Sequence, residues 1–386
     1  MKPQPASRIA WIDNLRTFVI FLVVSIHACV TYSYIGGWYV NVPPGPSPVE
    51  QVVFILWQAH LQAFFMGLLF FLAGVFAHRA LLRRGAKAFM QERFRRLGAP
   101  SLLYMLAIQP CIIYFQLKQP EGPDRPDFGS YWTNYVSSGK FLGGNGPMWF
   151  AVALFFFCAS LTFWQSVLQK NKPAAESHGT PPTAMKLFGF GICLVVSSFL
   201  ARLFYPLGSS VFNMQLGFFS QYIAVFTFGV IADRQGWFES LVQSKSARKA
   251  GNIAIIAGPV FLILLVVAGG PPPQEGPIKY SGGMNPWAFG LAFWEQLTGL
   301  AIGLGIMSWF YRKGNLSHPI ARWLSDRSFG VYMLHSPIMV ALTPMCDSIA
   351  DMNRLVAANV LTVITLIGSF MAADLAKRIP ILKRML

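Results

Sequence analysis

Ten apolar runs, each long enough to cross a bilayer, constrain this chain more than any other feature. They cover roughly Thr17–Ile35, Gln51–Ala77, Leu97–Gln116, Pro147–Leu168, Lys186–Tyr205, Leu216–Asp233, Gly251–Ala268, Trp287–Phe310, Ser328–Met345 and Leu355–Ala376. A helix needs about 17–25 apolar residues to span the hydrocarbon core. Backbone polar groups in lipid must be satisfied within the segment, so runs of this kind fold as helices. The expected fold class is all-α, a polytopic integral membrane helical bundle of about ten transmembrane helices, with residues 1–386 as a single integral membrane domain. Composition agrees: 54% of residues are hydrophobic and only 12% are charged, against about 25% charged in soluble proteins. The first run lacks a small-residue cleavage pattern and is followed by nine more, so it reads as an uncleaved transmembrane helix.

The net charge of +16 raises nucleic acid as a partner, but the placement of the cations argues against it. Numbering the loops alternately puts 25 of the 31 Lys and Arg on one side. They sit at the N-terminus, in Arg79–Arg96, around Lys170–Lys186, in Arg234–Lys249, in Arg312–Arg327 and in the tail from Lys377. Cytoplasmic loops carry that excess, so both termini are expected in the cytoplasm of a multi-pass inner (plasma) membrane protein, with membrane lipid and no nucleic acid as partners. The five cysteines have no metal-binding spacing; most read as buried thiols, with a Cys29–Cys346 bridge as the one pairing to consider.

Polar groups inside the runs are where function is expected, because an ionisable side chain at membrane depth is costly. The stretch from Arg8 to His27 carries Asp13, Arg16 and His27 on one helix face. Arg16 and His27, eleven residues apart, fall within about 20° of each other and roughly 16 Å apart along the axis. His60, flanked by Gln58 and Gln62, lies in the second run, Glu295 with Gln296 in the eighth and His335 in the ninth. The run bounds place His27 near mid-membrane, His60 and Glu295 in the outer half and His335 in the inner half. Each could be a satisfied packing group; as a set they are expected to share one cavity. A histidine there can take a proton from a hydroxyl, and Glu295 is the acid deep enough to orient it. His78, His178 and His318 read as loop residues. Arg93-Phe94-Arg95-Arg96 puts three guanidiniums before the third run, where they serve either topology or phosphate binding. No metal site is expected.

The external loops Gly36–Glu50, Lys118–Gly146 and Gly269–Pro286 are rich in Pro, Gly and aromatics. They read as connectors or as a rim suited to sugar rings. Gly143-Gly144-Asn145-Gly146 reads as a turn, and Gly299-x-x-x-Gly303-x-Gly305 as a surface for close helix packing.

Taken in order, several motifs resemble the membrane acyltransferase-3 family. They are Ile12-Asp13-Asn14-Leu15-Arg16 followed by His27, the Arg93/Arg96 pair, Phe71-Leu72-Ala73-Gly74, Met148-Trp149-Phe150, and Ser328 to His335 with Tyr332. The likeness runs from Arg8 to Leu386 and is greatest to the branch that succinylates periplasmic glucans. One departure stands out: where the family often places a histidine before the fourth-span tryptophan, this chain has Gly146-Pro147-Met148.

The resemblance implies an O-acyltransferase that moves an acetyl or succinyl group from cytoplasmic acyl-CoA to a hydroxyl of an extracytoplasmic glycan. Arg16, Arg93 and Arg96 would hold the donor's phosphates, with Asp13 supporting Arg16. His27 would be the catalytic base or a transient acyl carrier, Glu295 and His335 would assist it, and His60 and Trp149 would face the acceptor. No permanently bound cofactor is implied, since acyl-CoA enters as a substrate. The alternative reading is a proton-coupled transporter of a sugar or glycan precursor, which the absence of an inverted repeat disfavours.

Overall fold

The computed structural model describes residues 9–168, 179–270, 279–383 and 385. Arg8, His178 and the centre of the Gly269–Pro286 loop lie outside them. The described residues contain no strand, only one isolated bridge between Val211 and Met214. Ten helices are long and apolar enough to cross a membrane: α1 Ala10–Ser33, α2 Pro48–Arg84, α3 Ala86–Gln116, α4 Gly146–Val167, α5 Ala184–Phe204, α6 Leu216–Arg234, α7 Lys245–Gly269, α8 Pro286–Lys313, α9 Pro319–Met352 and α10 Arg354–Ala376. Each expected run coincides with one of them, and three (Thr17–Ile35, Pro147–Leu168 and Lys186–Tyr205) overrun the helix end by one or two residues. Several helices extend several residues beyond the apolar run, because amphipathic turns continue past the hydrocarbon boundary.

α1 and α2 form the centre of the bundle. In their most apolar windows 61% and 67% of residues are buried, against 28% for α5 and 22% for α7, which therefore face lipid. α2 packs chiefly against α6 and α8, and α1 against α10, α9 and α2. The α2–α6 seam explains the glycine of the Phe71-Leu72-Ala73-Gly74 motif. A Cβ on Gly74 would lie 2.1 Å from the Phe226 carbonyl oxygen, and one on Gly229 of α6 would lie 2.2 Å from that of Phe71. Backbone meets backbone here, as small residues permit in membranes.

α2 opens with a capping box between Ser47 and Glu50. Glu50 also accepts from the Arg354 backbone N–H at 2.8 Å, tying the start of α2 to the start of α10.

α3 is distorted by its prolines. A helical proline supplies no N–H and crowds the carbonyl four residues earlier. Wide π turns at Phe94–Gly98 and Tyr104–Ile108 precede Pro100 and Pro110. The carbonyls released ahead of Pro110 find partners in the loop between α3 and α4. The Trp132 indole donates to Leu106 at 2.7 Å and the Tyr135 hydroxyl to Met105 at 3.0 Å. These two loop aromatics, expected as connectors or a sugar rim, instead fasten the loop helix Phe128–Ser137 onto α3. Burial beside Tyr131 and Tyr104 pushes the Tyr135 phenol up, so it stays a donor.

All five cysteines are free thiols. Cys29 and Cys346 share one apolar cluster without forming the bridge considered from sequence; these two and Cys158 are buried, while Cys111 and Cys193 are exposed.

Candidate functional site

Helix α1 carries its polar residues up one face to His27, which sits six residues before the helix ends at Ser33. At about 1.5 Å per residue that is roughly 9 Å from the end, nearer the far end than mid-membrane. α9 begins at Pro319 rather than Ser328, and those nine extra residues bring His335 level with His27 instead of into the opposite half. The two imidazoles meet directly: His27 Nδ1 lies 2.9 Å from His335 Nε2, with the rings edge to edge, their centres 5.1 Å apart and their planes within 9°.

The neighbours fix where the protons are. His335 Nδ1 lies 2.8 Å from the Tyr332 carbonyl oxygen, which can only accept, so Nδ1 carries the hydrogen. In the neutral ring Nε2 is then the acceptor, and His27 Nδ1–H donates to it. The lone pair of neutral His27 is left on Nε2, aimed away from the pair. The hydrogen-bonded chain thus runs through two histidines and a backbone carbonyl.

Trp38 covers the pair, stacking on His27 at 4.0 Å and 11° and lying 6.0 Å from His335. Nothing in the sequence singled out Trp38; its place in an aromatic external loop was the only signal. Next to it, Tyr39 shares a 2.7 Å hydrogen bond with Tyr104 and donates to Gln109. Burial against Tyr104 holds the Tyr39 phenol well above its usual value, which keeps it a donor. These two hydroxyls crowd Gly146 at the entry to α4. A Cβ on Gly146 would come within 2.5 Å of the Tyr39 hydroxyl and 2.7 Å of Tyr104, and Gly146 itself holds φ +47. The Tyr332 hydroxyl donates to the carbonyl of Pro147, so α4 is pinned to the histidine-bearing helix.

Beyond the pair, on the side away from the arginines, lies a cavity of about 430 Å³ lined by Asn41, Pro43, Gln116, Thr343, Asp347 and Asp351, among others. Val40, two residues past Trp38, and Val340, five past His335, form part of its wall. Gln116 donates to the Pro337 carbonyl at 3.0 Å, linking the wall to the turn after His335.

At the opposite end the guanidiniums gather. Arg16 is close enough to Asp13, Arg93 and Arg96 to feel their charges. Its guanidinium lies 5.4 Å from the Phe76 ring centre, and Arg79 lies 5.7 Å from the same ring. Arg96 is 3.2 Å from Glu92, which Arg84 also engages. The π turn at Phe94–Gly98 directly follows Arg93 and carries Arg95 and Arg96, so the proline-driven distortion of α3 helps set their directions. Asn14 donates to the carbonyls of Gly314 and Leu316 at 2.7 and 2.9 Å, anchoring the start of α1 to the α8–α9 connection.

The remaining expected residues lie apart from the pair. Glu295 does not orient His27: both its oxygens accept from Arg202 Nη2, at 2.7 and 2.8 Å, in a pair buried between α5 and α8. Arg202 escaped notice in the sequence, although a lone arginine in an apolar run is the mark of an intramembrane partner for an acid. His60 bonds the Leu56 carbonyl at 2.6 Å and sits edge-on to Trp294 on the α2–α8 face. Trp149 stacks on Tyr222 of α6 at 5.8 Å. His78, expected in a loop, is buried in α2 and bonds Asp233 at 2.7 Å.

An imidazole with a free lone pair, lying between a cationic end and a cavity on its other side, is equipped for proton transfer between groups arriving from those two directions. Glucans biosynthesis protein C from Salmonella schwarzengrund (strain CVM19633) is 23% identical over 349 residues, covering 88% of this chain and 84% of that protein. The proteins of the same name from Salmonella typhi and Escherichia coli (strain SMS-3-5 / SECEC) are 22% and 20% identical over the same shares. No solved structure matches. The acyltransferase domain that defines the acyltransferase-3 family matches residues 9–374, and the chain belongs to that family of membrane acyltransferases.

Proposed function

We propose that this protein is an inner-membrane O-acyltransferase that carries an acyl group from acyl-CoA on the cytoplasmic side to a hydroxyl of a glycan on the other. The observation that carries the reading is the alignment on α1 of the arginine cluster below with the His27–His335 pair above. The excess of Lys and Arg on one set of loops assigns the arginine end, and both termini, to the cytoplasm. Arg16, Arg93 and Arg96 bind the donor's phosphates, with Asp13 supporting Arg16. The pantetheine arm rises along α1, across the roughly 16 Å between Arg16 and His27.

The acceptor enters from the cavity beyond Trp38, where carboxylates and amides offer hydrogen bonds to sugar hydroxyls. His27 Nε2 takes the hydroxyl proton as the oxygen attacks the thioester carbonyl. The tetrahedral intermediate collapses by breaking the C–S bond, and the proton passes from His27 to the departing thiolate. His335 holds the reactive tautomer in place of the acid expected for that task. The acyl group is acetyl or succinyl, as the kinship with glucan biosynthesis proteins suggests.

Purified protein given labelled acyl-CoA should release free thiol and label a glucan acceptor, and surface glycans from cells lacking the protein should lose an acyl mass. Unaltered glycans, together with no thioester consumption, would refute the reading.

A further inference from the structure

The Gly299-x-x-x-Gly303-x-Gly305 run does two different things. A Cβ on Gly299 would lie 2.1 Å from the Ala63 carbonyl oxygen of α2, and one on Gly305 would lie 2.8 Å from the Gly251 Cα of α7. These two are helix-packing glycines, as the pattern suggests. A Cβ on Gly303 meets nothing within 4 Å. Gly303 faces a groove of about 380 Å³ between α2, α5, α6, α7 and α8, walled by Phe64, Phe71, Phe188, Phe228, Ala250 and Leu304, among others. This groove lies on α5 and α7, the two helices most exposed to lipid, well away from the His27–His335 pair.

We propose that this groove is a binding site for one acyl tail of an anionic phospholipid, whose headgroup sits at the basic end. The groove is large enough for about a dozen groups of roughly 30 Å³ each, which is most of one lipid tail. Its walls are hydrocarbon, and its entrance lies among cations. Lys186 stands in the first turn of α5 beside the wall residues Ala184 and Leu187. Lys245, Arg248 and Lys249 interleave with the wall residues Ser246, Ala247 and Ala250 on α7. Among the described residues none of these four cations forms an ion pair, so their charge is available to a phosphate.

A tail gains no hydrophobic energy by leaving bulk lipid for the groove, because lipid is as apolar as the walls. It gains only dispersion contacts that an empty space would forfeit. Selectivity therefore comes from the headgroup, at roughly fivefold per basic residue near the surface. At the deep end Gln221 gives its amide N–H to the Ala63 carbonyl at 3.1 Å, and its own oxygen has no donor. A hydrocarbon tail does not complement that oxygen and is expected to stop short of it.

The test is native mass spectrometry of the full chain released from micelles containing equal amounts of phosphatidylglycerol and phosphatidylcholine. The wild type should retain one phosphatidylglycerol in at least severalfold excess over phosphatidylcholine. Gly303→Leu, which fills the open space without meeting backbone, should lose the adduct. Ala250→Phe at the entrance is a second route to the same loss if Gly303→Leu is not monodisperse. Lys186→Gln with Lys249→Gln should keep a bound lipid but lose the preference. Equal retention of the two lipids by the wild type, or an undiminished adduct in a monodisperse groove-filling variant, would overturn the proposal. The outcome is independent of acyl transfer.

Discussion

His335→Ala removes the acceptor that fixes the tautomer of His27 while leaving the arginine end untouched. The bond is a neutral pair at 2.9 Å, and such a bond is worth about 1 kcal/mol net. That sets a floor of about fivefold on the loss if the bond only adds stability to the productive arrangement. The ceiling is the whole contribution of a general base, about 10²–10⁴-fold. Without His335 the ring of His27 keeps its stack on Trp38 but no longer has a defined donor nitrogen, so the loss should fall near 10²-fold, about 2.7 kcal/mol. It should appear in kcat, with KM for acyl-CoA unchanged, because the donor's phosphates bind roughly 16 Å away. His335→Gln, which can present an oxygen to His27 Nδ1–H, should recover part of the rate. Single-turnover transfer from labelled acyl-CoA, on protein shown to be monodisperse, reads this directly. A His335→Ala protein with wild-type kcat would refute the relay.

Three other perturbations separate binding, chemistry and structure. Arg93→Ala with Arg96→Ala should raise KM for acyl-CoA about 10–100-fold, as expected for losing hydrogen bonds to a charged group at about 1.5–3 kcal/mol; an unchanged binding titration would return these arginines to a purely topological role. Glu295→Ala strands the buried Arg202 and should cost about 3–5 kcal/mol of stability, read as a lowered melting temperature and yield, while the surviving folded fraction keeps its rate. Gly74→Ala drives a methyl against the Phe226 carbonyl, and since backbone cannot swing aside it should cost about 1–3 kcal/mol in the same melting assay, with KM unaltered.

The architecture was legible because lipid leaves a chain few options. Runs of apolar residues between basic loops define helices almost by themselves, and all ten were placed from that pattern. What the pattern does not report is rotation and depth. His335 lies level with His27 and not in the opposite half, because the amphipathic turns from Pro319 to Arg327 belong to the helix although they do not look apolar. The partner of Glu295 was missed for a related reason: a lone arginine inside the fifth apolar run was counted with loop charge. The hydrogen-bond partner of His27 is a second histidine instead of that acid, a choice that only the packing of α1 against α9 decides. Trp38, Trp132 and Tyr135 look alike in the sequence as loop aromatics. One covers the imidazoles and two close hydrogen bonds left open by Pro110, a distinction set by the distorted backbone of α3 rather than by residue type.

The account rests on His27 as the group that moves the proton. The direct measurement is acyl transfer by purified His27→Ala protein given labelled acyl-CoA and a glucan acceptor, alongside a titration of acyl-CoA binding. The account predicts a rate lower by about 10²–10⁴-fold with donor affinity retained. Transfer at the wild-type rate in that variant would contradict it.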